Sequence, residues 1–295
     1  MKREFYSLQF LPVIFFLCII SSITHAQDSL WSKTFGGTNI DVAYSVEETA
    51  DEGYIISGYT RSYGTASGRN LWLFKTDKAG NLIWNKTFGG NSDDEGAAAK
   101  QTLDGGFITA GYTSSFGSGA KDVFVVRTDS SGNEIWSRVF GGTSDEEAYG
   151  LEVLPDGGYM IACATSSATA GSRDGWLIRL TSAGNILWDK KFGGLSTDGF
   201  RGIQRTTDGG FILTGWTASD GAGILGNAWL VKTDSAGNIL FNKNFGGSDA
   251  DRGLGVQQTT DGGYILAGYT TSTGAGLDDM YVIKTDASGN QTWIK

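Results

Sequence analysis

Two glutamates stand at corresponding positions of a repeated segment and form a candidate acid/base pair. Glu47 and Glu152 belong to a polar column that varies between repeats and is completed by Lys100, Gln204 and Gln257. Glycoside hydrolysis uses two carboxyl groups about 5–9.5 Å apart, one of them as general acid. The alternative is that the column lines a wet channel. The sequence favours the channel, because catalytic pairs are rare among polar columns of this kind.

A second column is acidic in every repeat. One carboxylate follows the phenylalanine of each Phe-Gly-Gly by six residues: Asp41, Asp94, Glu146, Asp198 and Asp251. Hard cations such as Ca²⁺ take clustered carboxylate and carbonyl oxygens, which makes the column a candidate calcium site. The alternative is that each carboxylate accepts N–H bonds within its own loop. Since no Asp-x-Asp-x-Asp-Gly loop is present, the sequence favours the hydrogen-bonding role and no cofactor.

A third column is aromatic in four of the five repeats. Its members are Tyr59, Tyr112, Trp216 and Tyr269, with Ala164 in the third repeat. Aromatic faces can stack on sugar rings, so these residues are candidate ligand-binding positions. Aromatic side chains that alternate along a strand more often pack against a neighbouring sheet. The sequence favours packing.

The N-terminal segment restricts the available chemistry. Residues 1–26 have the pattern of a secretory signal peptide, with Lys2 and Arg3 before an apolar run and a small residue at Ala26. The run is too short to span a bilayer, so no membrane insertion is expected after cleavage behind Ala26. Cleavage removes His25, the only histidine, and leaves Cys163 as the only thiol. The mature chain therefore has no Ser-His or Cys-His nucleophile.

The charge of the chain bears on its partners. Cleavage removes Lys2, Arg3 and Glu4 and takes the formal net charge from −9 to −10. An acidic chain without a basic run repels phosphate backbones and anionic headgroups. We expect no nucleic-acid partner; polysaccharides or surface proteins remain as partners.

These columns exist because the chain repeats itself. The Phe-Gly-Gly phenylalanine recurs at spacings of 53, 52, 52 and 53 residues. Periods of this length indicate solenoids, propellers or arrays. The predicted repeat domain covers residues 27–295. Its units are residues 31–83, 84–135, 136–187, 188–240 and 241–292, followed by the start of a sixth strand at 293–295.

Each unit reads as four short strands, which predicts an all-β fold. Asp-Gly-Gly supplies a tight hairpin turn, and Asp-x-x-Gly-Asn supplies a second turn. The strand LWLFKTD is apolar on both faces, so both faces must be covered, as when the blades of a propeller stack around an axis. We therefore predict a β-propeller with four-stranded blades of about 52 residues. Five such repeats are visible, and a larger array that contains them is left open. A right-handed parallel β-helix is the alternative, although its coils are usually shorter.

The repeat also resembles a known family. Units of the form WNKTFGG…TTDGGYILAGYT…WLVKTDSAGN resemble secreted and cell-surface β-propeller repeats of bacteria and archaea, and the tryptophan strand resembles quinoprotein-type blades. The resemblance covers residues 31–295. It implies the propeller fold and an envelope or extracellular location, and some family members carry endoglucanase-like labels.

Together these observations predict an exported β-propeller that acts as a non-catalytic binding or structural module at the cell surface or outside the cell. The second interpretation is a carbohydrate-active propeller, either lectin-like through the aromatic column or a glycoside hydrolase through Glu47 and Glu152. The third is a fragment of a larger surface adhesin, which the unfinished sixth strand suggests. A multivalent binder keeps one site in several blades, whereas an enzyme concentrates non-repeated acids in one pocket.

Overall fold

The computed structural model describes residues 31–64, 68–220 and 225–295. The predicted signal peptide lies outside the described residues. All regular structure in the described part is β-strand, arranged in five separate four-stranded antiparallel sheets. Each sheet follows the chain order of its strands. The sheets are the predicted blades, and the all-β propeller fold is confirmed.

Corresponding strands are equal in length from blade to blade, except for β20, which has four residues where its counterparts have seven. Blade 1 contains β1 (Asp41–Glu48), β2 (Tyr54–Thr60), β3 (Asn70–Thr76) and β4 (Leu82–Phe88). Blade 2 contains β5 (Asp94–Gln101), β6 (Phe107–Thr113), β7 (Asp122–Thr128) and β8 (Glu134–Phe140). Blade 3 contains β9 (Glu146–Val153), β10 (Tyr159–Thr165), β11 (Asp174–Leu180) and β12 (Ile186–Phe192). Blade 4 contains β13 (Asp198–Arg205), β14 (Phe211–Thr217), β15 (Asn227–Thr233) and β16 (Ile239–Phe245). Blade 5 contains β17 (Asp251–Gln258), β18 (Tyr264–Thr270), β19 (Asp279–Thr285) and β20 (Gln291–Ile294).

The Asp-Gly-Gly sequence forms the first hairpin of blades 2 to 5, and Asp51-Glu52-Gly53 forms that of blade 1. In blade 2, Asp104 accepts hydrogen bonds from the Thr102 hydroxyl and the Gly106 amide, and Gly105 takes a φ of 83°. Such a φ is easy for glycine and unfavourable for other residues. The Asp104 carboxylate also pairs with the buried guanidinium of Arg127 on β7. The repeated sequence therefore folds the hairpin and neutralises a cation buried in the blade.

In blades 2 to 5, the glycine of the second turn packs against an aromatic ring of the preceding blade. In blade 2, the Gly132 φ is 78°, and a Cβ at this position would lie 2.8 Å from the Trp84 ring of blade 1. The Trp84 indole N–H donates to the Ser130 carbonyl, 3.1 Å away. The same ring packs on Phe107, with centroids 5.5 Å apart. Glycine is therefore required here both for its backbone conformation and for the close approach of the tryptophan.

The cores lie between the blades. One apolar cluster joins Leu71 and Leu73 of blade 1 to Phe107 and Phe124 of blade 2, and all four side chains are buried. Their strands are apolar on both faces because each blade is covered on both sides. Burying a leucine or phenylalanine side chain contributes about 1.5–3 kcal/mol, so blade stacking supplies much of the stability.

The two end faces of the array are exposed. On β1, the Val46 side chain is 67% exposed, and on β19 Met280 is 83% exposed. Their counterparts in blade 2, Ala99 and Val123, are buried against neighbouring blades. Blades 1 and 5 thus each present one uncovered face within the described residues. Those residues also contain no helix long and apolar enough to cross a membrane.

Candidate binding site at the centre of the propeller

Every inner strand carries one β-bulge at the same place. The register with the second strand shifts after the third residue, as between Ala43 and Ser45 of β1. One residue per blade is left without a cross-strand partner: Tyr44, Ala97, Tyr149, Arg201 and Leu254. We call these five residues the bulge column. Bulges redirect side chains and are common beside functional sites.

The bulge column lines the central cavities of the propeller. All five of its residues border a cavity of about 440 Å³. A neighbouring cavity of about 260 Å³ shares Arg201 and Leu254 with it. Ligand pockets commonly have volumes of about 300–1,000 Å³. Five similar blades thereby deliver four kinds of side chain to one space, with tyrosine contributed twice.

Charged groups surround the larger cavity. Arg69 of blade 1 pairs with Glu95 of blade 2, and this contact raises the pKa of the guanidinium. One blade further on, the Glu147 carboxylate lies 2.6 Å from Lys121 Nζ and 2.5 Å from Arg173 Nη2. These two blade junctions therefore hold their cations against carboxylates.

The state of Glu147 follows from its partners. Burial raises the pKa of this carboxyl, but hydrogen bonds from Arg173, Lys121 and the Tyr149 hydroxyl outweigh burial and lower the pKa to about 2. Burial and the nearby Glu147 charge raise the pKa of Tyr149 to about 12. At neutral pH, Glu147 is ionised and Tyr149 keeps its proton.

The smaller cavity has a different charge balance. The guanidiniums of Arg173, Arg201 and Arg252 all lie within 5.8 Å of the Trp216 ring centroid. We call these three arginines the guanidinium cluster. Of these three arginines, only Arg173 has a carboxylate in salt-bridge range within the described part of the chain, namely Glu147. Arginines around an aromatic ring gain cation–π attraction but repel one another.

The aromatic column lies behind these cations. The rings of Tyr59, Tyr112 and Trp216 are each less than 10% exposed. Arg69 covers Tyr59 at 4.7 Å, and Lys121 covers Tyr112 at 4.2 Å from the ring centroid. Tyr112 borders the larger cavity, and Trp216 and Tyr269 border the smaller one. A ligand that enters meets the cationic groups before it meets the buried rings.

Each residue of the acidic column is the first residue of an inner strand and accepts a hydrogen bond from the loop that precedes that strand. Asp198 accepts hydrogen bonds from the Gly194 amide at 2.9 Å and the Ser219 hydroxyl at 2.5 Å. Asp251 accepts the Gly247 amide at 2.9 Å. The remaining members accept the corresponding glycine amide: Asp41, Asp94 and Glu146. No group of three or more His, Cys, Asp or Glu side chains within the described ranges is arranged to hold a metal ion.

The candidate catalytic pair does come together, with a lysine between its members. Lys100 Nζ lies 2.7 Å from a Glu47 oxygen and 3.9 Å from a Glu152 oxygen. Burial raises the pKa of Glu152 to about 7, although Lys100 acts in the opposite direction. Lys100 and Glu152 line a cavity of about 460 Å³ together with Gln204 and Gln257. The polar column thus meets at the far ends of the inner strands.

Sequence reasoning missed the bulge column and the guanidinium cluster. The available signal was variation: the third residue after the column acid is of four types among the five repeats, with tyrosine only in the first and third. The strand pattern gave no sign that this residue leaves the ladder. A bulge depends on the pairing register, which becomes visible only in the sheet.

Comparisons with known proteins support the fold and little more. No family model matches the chain. The chain is 24% identical over 198 residues to the regulatory protein FlaEY of Caulobacter vibrioides, a match that covers 59% of this chain and 20% of that protein. It therefore spans about a fifth of the length of this curated relative.

Solved structures with a similar fold differ widely in assignment. An inferred exo-β-1,3-galactanase from Bifidobacterium bifidum s17 matches with a TM-score of 0.51 and 14% identity, over 84% of this chain and 90% of that one. An inferred 6-phosphogluconolactonase from Bacteroides uniformis also gives 0.51 and 14%, over 84% and 69%. A protein of unknown function from Bacteroides caccae gives 0.50 and 12%, over 85% and 80%. Such low identity indicates a shared fold alone.

Proposed function

We propose that the protein is an exported β-propeller that acts as a non-catalytic binding module at the cell surface or outside the cell, with its binding site in the central cavities. The bulge column supports this proposal. The turns and the second and third strands repeat closely, yet the five bulge positions hold four different residue types, with tyrosine in blades 1 and 3. A frame needs no such differentiation, whereas a single asymmetric pocket does.

Blocking the cavity tests this proposal. Ala97 borders the larger cavity, and Ala97→Trp fills the space whatever the ligand is. Ala79→Trp is the matched control, because Ala79 lies exposed in a turn. The purified exported protein is mixed with a panel of soluble and insoluble polysaccharides and with envelope fractions, and its retention is measured. We expect retention that Ala97→Trp abolishes and Ala79→Trp leaves unchanged; retention that survives Ala97→Trp contradicts the assigned site.

Export is proposed from the sequence of residues 1–26. N-terminal sequencing of the protein recovered outside the cytoplasm tests it, and a start at Gln27 is the expected result. A mature chain that still begins at Met1 contradicts export by a cleaved signal. No role for nucleic acid is proposed, because the chain is acidic overall.

One observation favours a glycoside hydrolase as a second candidate. A carboxyl whose pKa is raised to about 7, as at Glu152, can serve as a general acid. The position of Lys100 argues against it, because the ammonium group occupies the space between the two carboxylates. Measuring reducing ends in the retention assay distinguishes the two functions. Release of sugar that Glu152→Gln abolishes supports the hydrolase, and retention without release supports the binding module.

A further inference from the structure

We infer that the guanidinium cluster binds a small hydroxyl-bearing oxyanion, such as an acidic monosaccharide unit that carries a carboxylate, sulfate or phosphate group. The inference rests on the proposed function, because it takes the central cavities as the binding site. It adds the chemical class of the ligand and the three arginines that recognise it: Arg173, Arg201 and Arg252.

The local charge is the first support. Among the described residues that border the two cavities, five are cationic and two are carboxylates. The cations are Arg69, Lys121, Arg173, Arg201 and Arg252, and the carboxylates are Glu95 and Glu147. The whole chain, in contrast, carries a formal net charge of −9. A positive site inside an acidic protein attracts a compact anion, while the surrounding charge repels long polyanions.

Unused hydrogen-bond donors are the second support. Arg201 is exposed, lies 4.0 Å above the Tyr149 ring, and has no hydrogen-bonded or ion-paired acceptor in the described part of the chain. Arg173 Nε is buried without a hydrogen-bond partner there. A buried donor without an acceptor costs about 1–3 kcal/mol, which a ligand oxygen would recover. These donors border the same cavity of about 260 Å³.

Arg252 is the third support. Its guanidinium donates to the main-chain carbonyls of Leu225, Gly226 and Asp251. None of these three acceptors is a carboxylate. Burial lowers the pKa of Arg252, and the like charge of Arg201 acts in the same direction. An oxyanion between the two arginines would relieve this repulsion. Arginine is also the side chain best suited to carboxylate, sulfate and phosphate groups.

The rest of the ligand is indicated by the adjoining cavity. Arg201 connects the smaller cavity to the larger one, where Tyr44 and Tyr149 offer phenol groups and Ala97 leaves space. The Tyr149 hydroxyl donates to Glu147, so it offers the hydroxyl of a ligand an acceptor lone pair. The Trp216 ring, which Gly199 accommodates by lacking a side chain, fixes the positions of the arginines behind the site.

Calorimetric titration of the purified exported protein tests the ligand class. The probes are glucuronate, glucose 6-sulfate and glucose 6-phosphate, with glucose as the neutral control. We expect saturable binding of at least one anion, at least about tenfold tighter than glucose and weakened by added salt. The three anions distinguish carboxylate, sulfate and phosphate recognition. Equal affinity for glucose, or no anion binding tighter than about 10 mM, overturns the inference.

Variants locate the binding. Arg201→Gln removes an exposed guanidinium. It should lower the affinity for the preferred anion by about tenfold or more without changing the melting temperature. Arg138→Gln is the matched control, because Arg138 lies 5.3 Å from the Trp136 ring on β8, away from the cavities. Arg252→Gln is the second variant. Anion affinity that is unchanged in both Arg201→Gln and Arg252→Gln contradicts the assigned cluster.

The outcome separates this inference from the proposed function. Polysaccharide or envelope retention that Ala97→Trp abolishes, together with no preference for anions, leaves the binding module standing and rejects the ligand class. If Ala97→Trp changes neither the retention nor the anion affinity, the central site itself is rejected. Anion binding that depends on Arg201 supports both.

Discussion

Replacing Asp198 with alanine measures what the acidic column does. Its carboxylate is buried and accepts the Gly194 amide at 2.9 Å, the Ser219 hydroxyl at 2.5 Å and the Ala218 amide at 3.2 Å. Hydrogen bonds to a charged group contribute about 1.5–3 kcal/mol each, and the longest of the three contributes least. Asp198→Ala also leaves these partly buried donors without an acceptor. We expect a loss of about 3–5 kcal/mol in the free energy of unfolding.

Thermal unfolding is the assay. For a domain of this size, 1 kcal/mol shifts the melting temperature by about 2–4 °C, so Asp198→Ala should lower it by about 10 °C. Asp249→Ala is the control, because Asp249 is exposed in the corresponding loop of blade 5 and should change stability by less than about 0.5 kcal/mol.

Calcium dependence decides between the two interpretations of the column. Each protein is unfolded with added Ca²⁺ and with chelator. If the hydrogen bonds to Gly194 and Ser219 stabilise the loop, chelator leaves the wild-type melting temperature unchanged. The reasoning is refuted if chelator alone lowers the wild type to the Asp198→Ala value, or if Asp198→Ala costs less than about 1 kcal/mol.

Three further predictions concern other buried positions. Folding raises the pKa of Glu152 from 4.5 to about 7, so the folded protein keeps this proton to a higher pH than the unfolded chain does. The free energy of unfolding should therefore fall by up to about 3 kcal/mol as the pH rises from 4.5 to about 7. Urea unfolding of Glu152→Gln should lack the fall; an identical pH profile argues against the raised pKa. Cys163 is buried and its pKa is raised, so a thiol reagent should modify it only after unfolding, and rapid native labelling contradicts the packing. Gly199→Ala places a Cβ 2.4 Å from the Trp216 ring and should cost about 1–3 kcal/mol in unfolding experiments, whereas a neutral result means that the ring can move.

The blade architecture was accessible from sequence because its determinants are local and repeated. The Asp-Gly-Gly and Gly-Asn turns fix the hairpins within a few residues, and the doubly apolar strand around Leu71 and Leu73 requires neighbours on both faces. In the first repeat Glu52 occupies the glycine position of the turn, at a φ of 62°, and the hairpin still forms. Four matching copies and the tertiary packing outweigh this one unfavourable residue.

The site was less accessible because it depends on register and on contacts between blades. The columns of Glu47 and of Asp41 were found from spacing, but the insertion of Lys100 between Glu47 and Glu152 depends on how three inner strands meet. The aromatic residues were found as well, yet their burial beneath Arg69 and Lys121 is set by the loops that precede the third strands. Arg201 carried no motif, and only the bulge directs it into the cavity.

The exposed faces of blades 1 and 5 have a consequence for how the molecule opens. Stacked repeats behave as a row of coupled units, in which each unit is held by its own stability and by its neighbours. An interior blade must break two interfaces with its neighbours to detach, whereas a blade with one uncovered face must break only one. Hydrogen exchange should therefore be fastest in blades 1 and 5. Arg252 lies on β17 of blade 5, while Arg173 and Arg201 lie beside β11 and on β13. A ligand bound by all three arginines would therefore join blade 5 to blades 3 and 4 and slow its local unfolding.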